Sequence, residues 1–305
     1  MMQKSTNTDS LSVAKRDAFS VVKASGENIL KYLQGQLTQD VSKLSDKQAI
    51  YSVILNPQGK AISDLYLLLT QKKEGWAEVM FLCPSEFALN LVERLRMFAM
   101  GYDLRIGKVP SWQVVSVQGE EVDDVLRAHH LPVPSHASLA AAEQGGVCAL
   151  RMKESKHDGV WLIGADLPLS CNTDESEAER GRILQGTPFL GVDWDIKLHP
   201  LNANLIERNG VDFDKGCYVG QEVTSRMQWR GGIKKKLYRV QLEEAVSMPC
   251  AVYTTVKVGE ITSLVMDDSG QYIGIALLPI EVVESKKSLA TSEGDSIVIL
   301  GVCGE

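Results

Sequence analysis

No stretch of the 305 residues stays apolar for the roughly 20 positions that a bilayer-spanning helix needs, because charges interrupt every long segment. A membrane protein of the helical kind is therefore not expected. The N-terminal MMQKSTNTDSLSVAKRD is polar and lacks the apolar stretch of a secretory signal, so the sequence is read as soluble and cytoplasmic. Six cysteines, Cys83, Cys148, Cys171, Cys217, Cys250 and Cys303, lie 23 or more positions apart and form no CxxC or CxxH pair. That spacing argues against a zinc ribbon or a self-contained cluster site, and reduced thiols and no bound metal are expected. The five histidines, His129, His130, His136, His157 and His199, contain no HExxH arrangement. There is no GxSxG elbow, and no Walker loop or GxGxxG follows a predicted strand, so nucleotide phosphate cradling lacks its usual framework. A net charge of −7 disfavours broad affinity for nucleic acid, which depends on neutralising phosphates.

What is present is enough apolar material, 44% of residues, for two or three packed units at this length. Asn28 to Gln36 reads as a short amphipathic helix. Ile50 to Leu55 and Ala61 to Thr70 read as strands around the turn Asn56-Pro57-Gln58-Gly59. Trp76 to Cys83 reads as a strand, followed by a helix to about Met100, with Ser85 as N-cap and Phe87, Leu91, Leu95 and Phe98 as a core stripe. Further strands are predicted at 112–117, 147–152 and 160–163, and helices near 122–130 and after the polar loop beginning at Leu167. From Leu237 onward, short strands at 237–242, 250–256, 260–266, 271–278 and 296–301 predict a small antiparallel barrel. No period of 20–50 residues suggests a solenoid.

The densest chemistry lies in KGCYVGQE, Lys215 to Glu222, where a thiol, an amine, a carboxylate and a carboxamide sit among glycines. Gly216 and Gly220 permit positive φ and close backbone approach. Lys215 could favour the thiolate of Cys217; the plainer reading is a tight turn around a buried, inert cysteine. With its flanks, GVDFDKGCYVGQEVTSRMQWRGGIKKKL resembles the signature of the YgfZ family, folate-binding relatives of the glycine-cleavage T-protein that support iron–sulfur proteins. RILQGTPFLGVDWD (Arg182 to Asp195), YLQGQLTQDV (Tyr32 to Val41), ILNPQGKAISDLYLL (Ile54 to Leu68), VGEITS (Val258 to Ser263) and IALLP (Ile275 to Pro279) resemble other segments of that family, in order along the chain.

The resemblance implies an α+β, T-protein-like folate-binding multidomain fold, with residues 1–235 as an aminomethyltransferase-like region of two subdomains and residues 236–305 as a C-terminal antiparallel β-barrel. It implies tetrahydrofolate, or a one-carbon derivative, as cofactor. Glu222 and Gln221 could meet the amino-pyrimidine edge, Tyr218 or Trp229 a flat ring, and Arg226 or Arg230 the glutamate tail, with Lys215 and Gly216 also at the ligand. Cys217 and Asp64 are the candidate catalytic residues; Asp64 could equally be a strand-edge acid. Arg226, Arg230, Lys234, Lys235, Lys236 and Arg239 form a basic patch that is either a solvated linker or an anchor for an anionic tail, polyglutamated folate included. Where the T-protein carries a GYTGEDG-like segment, this chain reads KHDGVWLIGAD without a glycine-flanked glutamate, which puts aminomethyl transfer in doubt. The expectation is an accessory protein that assembles or repairs iron–sulfur enzymes, with those enzymes or assembly factors as partners and indirect consequences for tRNA thiomodification. A folate-dependent one-carbon transferase is the alternative, and direct RNA binding fits less well.

Overall fold

The computed structural model describes residues 11–152 and 159–304. The first ten residues of the polar N-terminal stretch, His157, and the opening of the KHDGVWLIGAD segment lie outside the described residues. The chain divides into two compact units: one comprises the chain up to Leu33, Asp40–Tyr51 and Leu65–Gly181, the other Gln34–Gln39, Ser52–Asp64 and Arg182–Glu305.

The sequence-derived strands and helices lie within a few residues of those found, but the sheets are richer than the pattern suggested. One five-stranded sheet has the order β3-β4-β5-β2-β6, from β2 (Phe19–Glu27), β3 (Ile50–Leu55), β4 (Ala61–Lys73), β5 (Trp76–Pro84) and β6 (Leu104–Lys108). A second runs β1-β7-β10-β9-β8, from β1 (Ser12–Lys15), β7 (Gln113–Gln118), β8 (Ala141–Gln144), β9 (Val147–Met152) and β10 (Gly159–Gly164). Every residue of β9 and β10 is buried, Arg151 in β9 included, whose guanidinium pairs with Asp123 at 2.7 Å. Helix α1 (Ile29–Gln34) buries Ile29 and Leu33. Helix α2 (Ala88–Phe98) buries Leu91 and Leu95, and Phe87 just before it is buried too. Phe98 departs from the expected stripe: it is exposed and lies under the Arg94 guanidinium, 3.4 Å from the ring centroid. Ser85 is not the N-cap. It opens a 3-10 turn, Ser85–Phe87, and its hydroxyl is engaged with Asp17 O and Ser20 Oγ, so it cannot reach the first N–H groups of α2. Helix α3 (Val122–Ala128) lays Val122, Val125 and Leu126 into a core with Val115, Val117 and Leu162. Helix α4 (Glu175–Leu184) follows the predicted polar loop.

The second unit holds α5 (Gln221–Trp229), a helix the sequence pattern does not predict, and a closed antiparallel barrel. Its strands are β11 (Lys235–Leu242), β12 (Cys250–Tyr253), β13 (Lys257–Met266), β14 (Tyr272–Pro279), β15 (Leu289–Thr291) and β16 (Ser296–Val302), joined in the ring order β11-β14-β13-β12-β15-β16. Tyr238, Val240 and Leu242 alternate into the barrel core. Register shifts at Arg239/Val240, Val252/Tyr253 and Ile261/Ser263 bend the strands toward closure. The short strand β15 and the one-turn helix α6 (Ile280–Glu284) were not legible in the pattern. Beside the barrel, the Arg182 guanidinium is buried against Asp193 at 2.7 Å, and Asp193 also accepts from Phe189 N, Thr262 and Ser263.

Candidate functional site

All residues of the KGCYVGQE segment lie in the second unit. The segment is held by its neighbours through the backbone. Asp212 Oδ1 accepts from the N–H groups of Asp214 and Lys215, at 2.8 and 3.1 Å, closing a turn just before the signature. The Lys215 ammonium is buried and donates to three main-chain carbonyls, Gln34 O, Leu37 O and Gln39 O, at 2.7–2.9 Å. All three of its N–H donors are thereby engaged, so this lysine clamps the 34–39 loop rather than presenting a donor to a ligand. The same loop is tied down elsewhere: Thr38 Oγ1 donates to Gly210 O at 2.6 Å and accepts from Val53 N, Ser52 Oγ accepts from Gln39 N, and Val219 N donates to Gly35 O. Thr38, Gln39 and Ser52 were not singled out by sequence reasoning, although the first two lie inside the YLQGQLTQDV segment.

Gly220 and Gly216 prove to be unlike. Gly220 has φ +85, and a Cβ there would stand 2.8 Å from Asn56 O and from Leu55 Cβ, so the turn ahead of α5 needs its missing side chain to let the 55–59 segment approach. Gly216 lacks a positive φ, and a Cβ there would meet nothing within 4 Å. The reading that both glycines serve conformation is therefore corrected at Gly216: it faces open space. Cys217 beside it is an exposed free thiol, not the buried cysteine of the plainer reading. Tyr218 is buried, its ring 5.2 Å from Lys215 Nζ, and burial pushes its phenol up to about 12. Its Oη meets no hydrogen-bond criterion among the described residues, although Thr224, which donates to Gly220 O, lies close enough to offset part of that rise.

Gln221 and Glu222 open α5, and Arg226, Trp229 and Arg230 follow on it or at its C-cap. Glu222, Arg226, Trp229 and Arg230 are exposed and spaced to share one face of the helix. Of the six cations in the basic patch, Lys236 pairs with Glu207 and Arg239 donates to Leu184 O, whereas Arg226, Arg230, Lys234 and Lys235 have no side-chain bond or ion pair among the described residues. Asp64 is buried and paired with Arg208 at 3.9 Å, a partner the sequence did not suggest. His199, just ahead of Pro200, is buried. Its Nδ1 accepts from Leu201 N, its Nε2 is buried without a partner among the described residues, and burial, with a smaller push from Lys60, lowers its pKa to about 4. No group of three His, Cys, Asp or Glu suited to a metal occurs among the described residues, and no helix there is long and apolar enough to cross a membrane.

No family model matches the chain. It is 26% identical to the mitochondrial iron-sulfur cluster assembly factor of Mus musculus over 309 residues, covering 94% of this chain and 82% of that protein. It is 27% identical to the tRNA-modifying protein YgfZ of Yersinia enterocolitica, covering 75% of this chain and 70% of the relative. Its fold matches the crystal structure of glycine cleavage system aminomethyltransferase T from Bartonella henselae with a TM-score of 0.80, at 16% identity, over 95% of this chain and 84% of the other. The α+β architecture with its terminal barrel is thus that of the T-protein. The chain is similar in sequence to YgfZ proteins and in fold to the T-protein.

Proposed function

We propose that this protein is a tetrahydrofolate-binding accessory factor that supports assembly or repair of iron–sulfur enzymes, influencing tRNA thiomodification through such a client. One observation carries the reading: an exposed thiol, Cys217, stands beside a glycine over which there is open space, on a segment otherwise locked by Lys215 and Gly220. The names of the relatives support the iron–sulfur and tRNA parts, and the T-protein fold supports folate. The residues present fit the cofactor. Glu222 and Gln221 offer a carboxylate and an amide for the amino-pyrimidine edge, Arg226 and Arg230 offer unengaged cations for the glutamate tail, and the Tyr218 hydroxyl is a buried donor awaiting an acceptor. Residues 1–235 are assigned to the folate-binding region and 236–305 to the barrel, in a cytoplasmic protein.

In this scheme Cys217 supplies the reactive thiol. Cys217→Ala and Cys217→Ser are expected to impair support of a client iron–sulfur enzyme while thermal stability stays within about 0.5 kcal/mol of the parent, as for other exposed substitutions. Full client support by both variants, or loss only in proportion to unfolding, would overturn the thiol's role. The fold match favours a second reading, transfer of a one-carbon group to or from tetrahydrofolate with Asp64 as the acid–base residue. Turnover of an aminomethyl donor by the parent protein, abolished by Asp64→Asn, would establish it in place of the accessory reading.

A further inference from the structure

Trp229 is 72% exposed, an unusual setting for an indole, and its ring meets Phe213 nearly edge-on with centroids 6.0 Å apart. The contact leaves most of the Trp229 ring in solvent. Trp229 lies at the C-terminal end of α5, about 12 Å along the axis from Gln221 at a rise of about 1.5 Å per residue. Arg230, Lys234 and Lys235 follow within six positions, and none of the three has a side-chain bond or ion pair among the described residues. A chain of net charge −7 thus gathers an aromatic pair and unneutralised cations at one helix end.

We infer that this end of α5, with Trp229 propped on Phe213 and Lys234 and Lys235 beside it, is a docking surface for an acidic segment of a partner polypeptide. Trp and Arg carry much of the binding energy in protein interfaces, and the local positive charge selects an acidic partner. RNA is a poorer match. Its affinity depends on neutralising many phosphates, and three or four cations on a chain of this net charge supply little of that. The surface shares Arg230 with the proposed folate-tail contact, but its ligand, an acidic polypeptide, goes beyond the folate reading.

The test uses full-length protein without folate and three labelled probes: a short peptide of Glu and Asp with two leucines, its lysine counterpart, and oligouridylate. Saturable binding of the acidic peptide, weakened by salt, is expected. Trp229→Ala and the double variant Lys234→Glu/Lys235→Glu should each weaken it about tenfold with the melting temperature unchanged. The inference is overturned if the acidic peptide does not saturate, if the basic peptide binds equally, if either variant binds undiminished, or if oligouridylate is preferred. The peptide titrations contain no folate, so their failure is distinct from failure of a folate titration.

Discussion

At the scale of single residues, the chemistry lies in what each polar group is already bound to. Lys215 is the clearest case. Lys215→Met leaves three carbonyls of the 34–39 loop without their donor and should cost about 2–4 kcal/mol, read from urea unfolding. Lys215→Arg should not restore it, because a planar guanidinium cannot converge on three carbonyls gathered around one nitrogen. Stability within about 0.5 kcal/mol of the parent in Lys215→Met would show that the clamp contributes little. His199 gives a pH signature. Its folded pKa, about 4, lies below the unfolded value of 6.5, so between these values the unfolded chain binds a proton that the folded chain refuses. Stability should fall as pH drops through that window, by roughly 2 kcal/mol once partial solvent contact is allowed for, and the term should be constant below it. His199→Asn keeps an acceptor for Leu201 N and should remove that slope; urea melts at the two ends of the window measure it. Neither role was legible in the sequence, since a buried ammonium and a buried imidazole look the same in a string as exposed ones.

At the scale of elements, the junction between the β3–β4 turn and the start of α5 decides how the signature is presented. Asn56 organises that turn, its Oδ1 accepting from Gln58 N and Lys60 N at 3.0 Å, and Gly59 N donates to Asn56 O. The turn then packs on Gly220 and Val223. Gly220→Ala should cost about 1–3 kcal/mol, from positive φ and from a Cβ forced against Asn56 O, whereas Gly216→Ala should leave the melting temperature unchanged. Equal tolerance at both positions would mean the turn relaxes freely. The strands around Asn56-Pro57-Gln58-Gly59 were legible because β-branched and apolar runs flank a strong turn signal. Helix α5 was not, because Gly220 offers no side-chain cap and the helix buries only Thr224, leaving almost no apolar periodicity to read. Strand β15, at three residues, is too short to show alternation.

At the scale of the whole molecule, motif order along the chain revealed the T-protein-like architecture, since segments far apart in sequence meet in the second unit: the 34–39 loop, the 52–64 stretch and the signature itself. Pattern alone gave the barrel but could not show that Lys215 closes onto Gln34, Leu37 and Gln39, a relation set by tertiary packing. Under the proposed function, tetrahydrofolate binds against the open face at Gly216. Calorimetric titration of tetrahydrofolate into the parent protein and into Gly216→Leu tests it most directly, because the added side chain enters space empty of protein atoms and should leave the fold intact. Saturable binding by the parent, weakened at least about tenfold in Gly216→Leu at an unchanged melting temperature, is the expected result. Absence of binding by the parent, or equal affinity in the two proteins, would contradict the account.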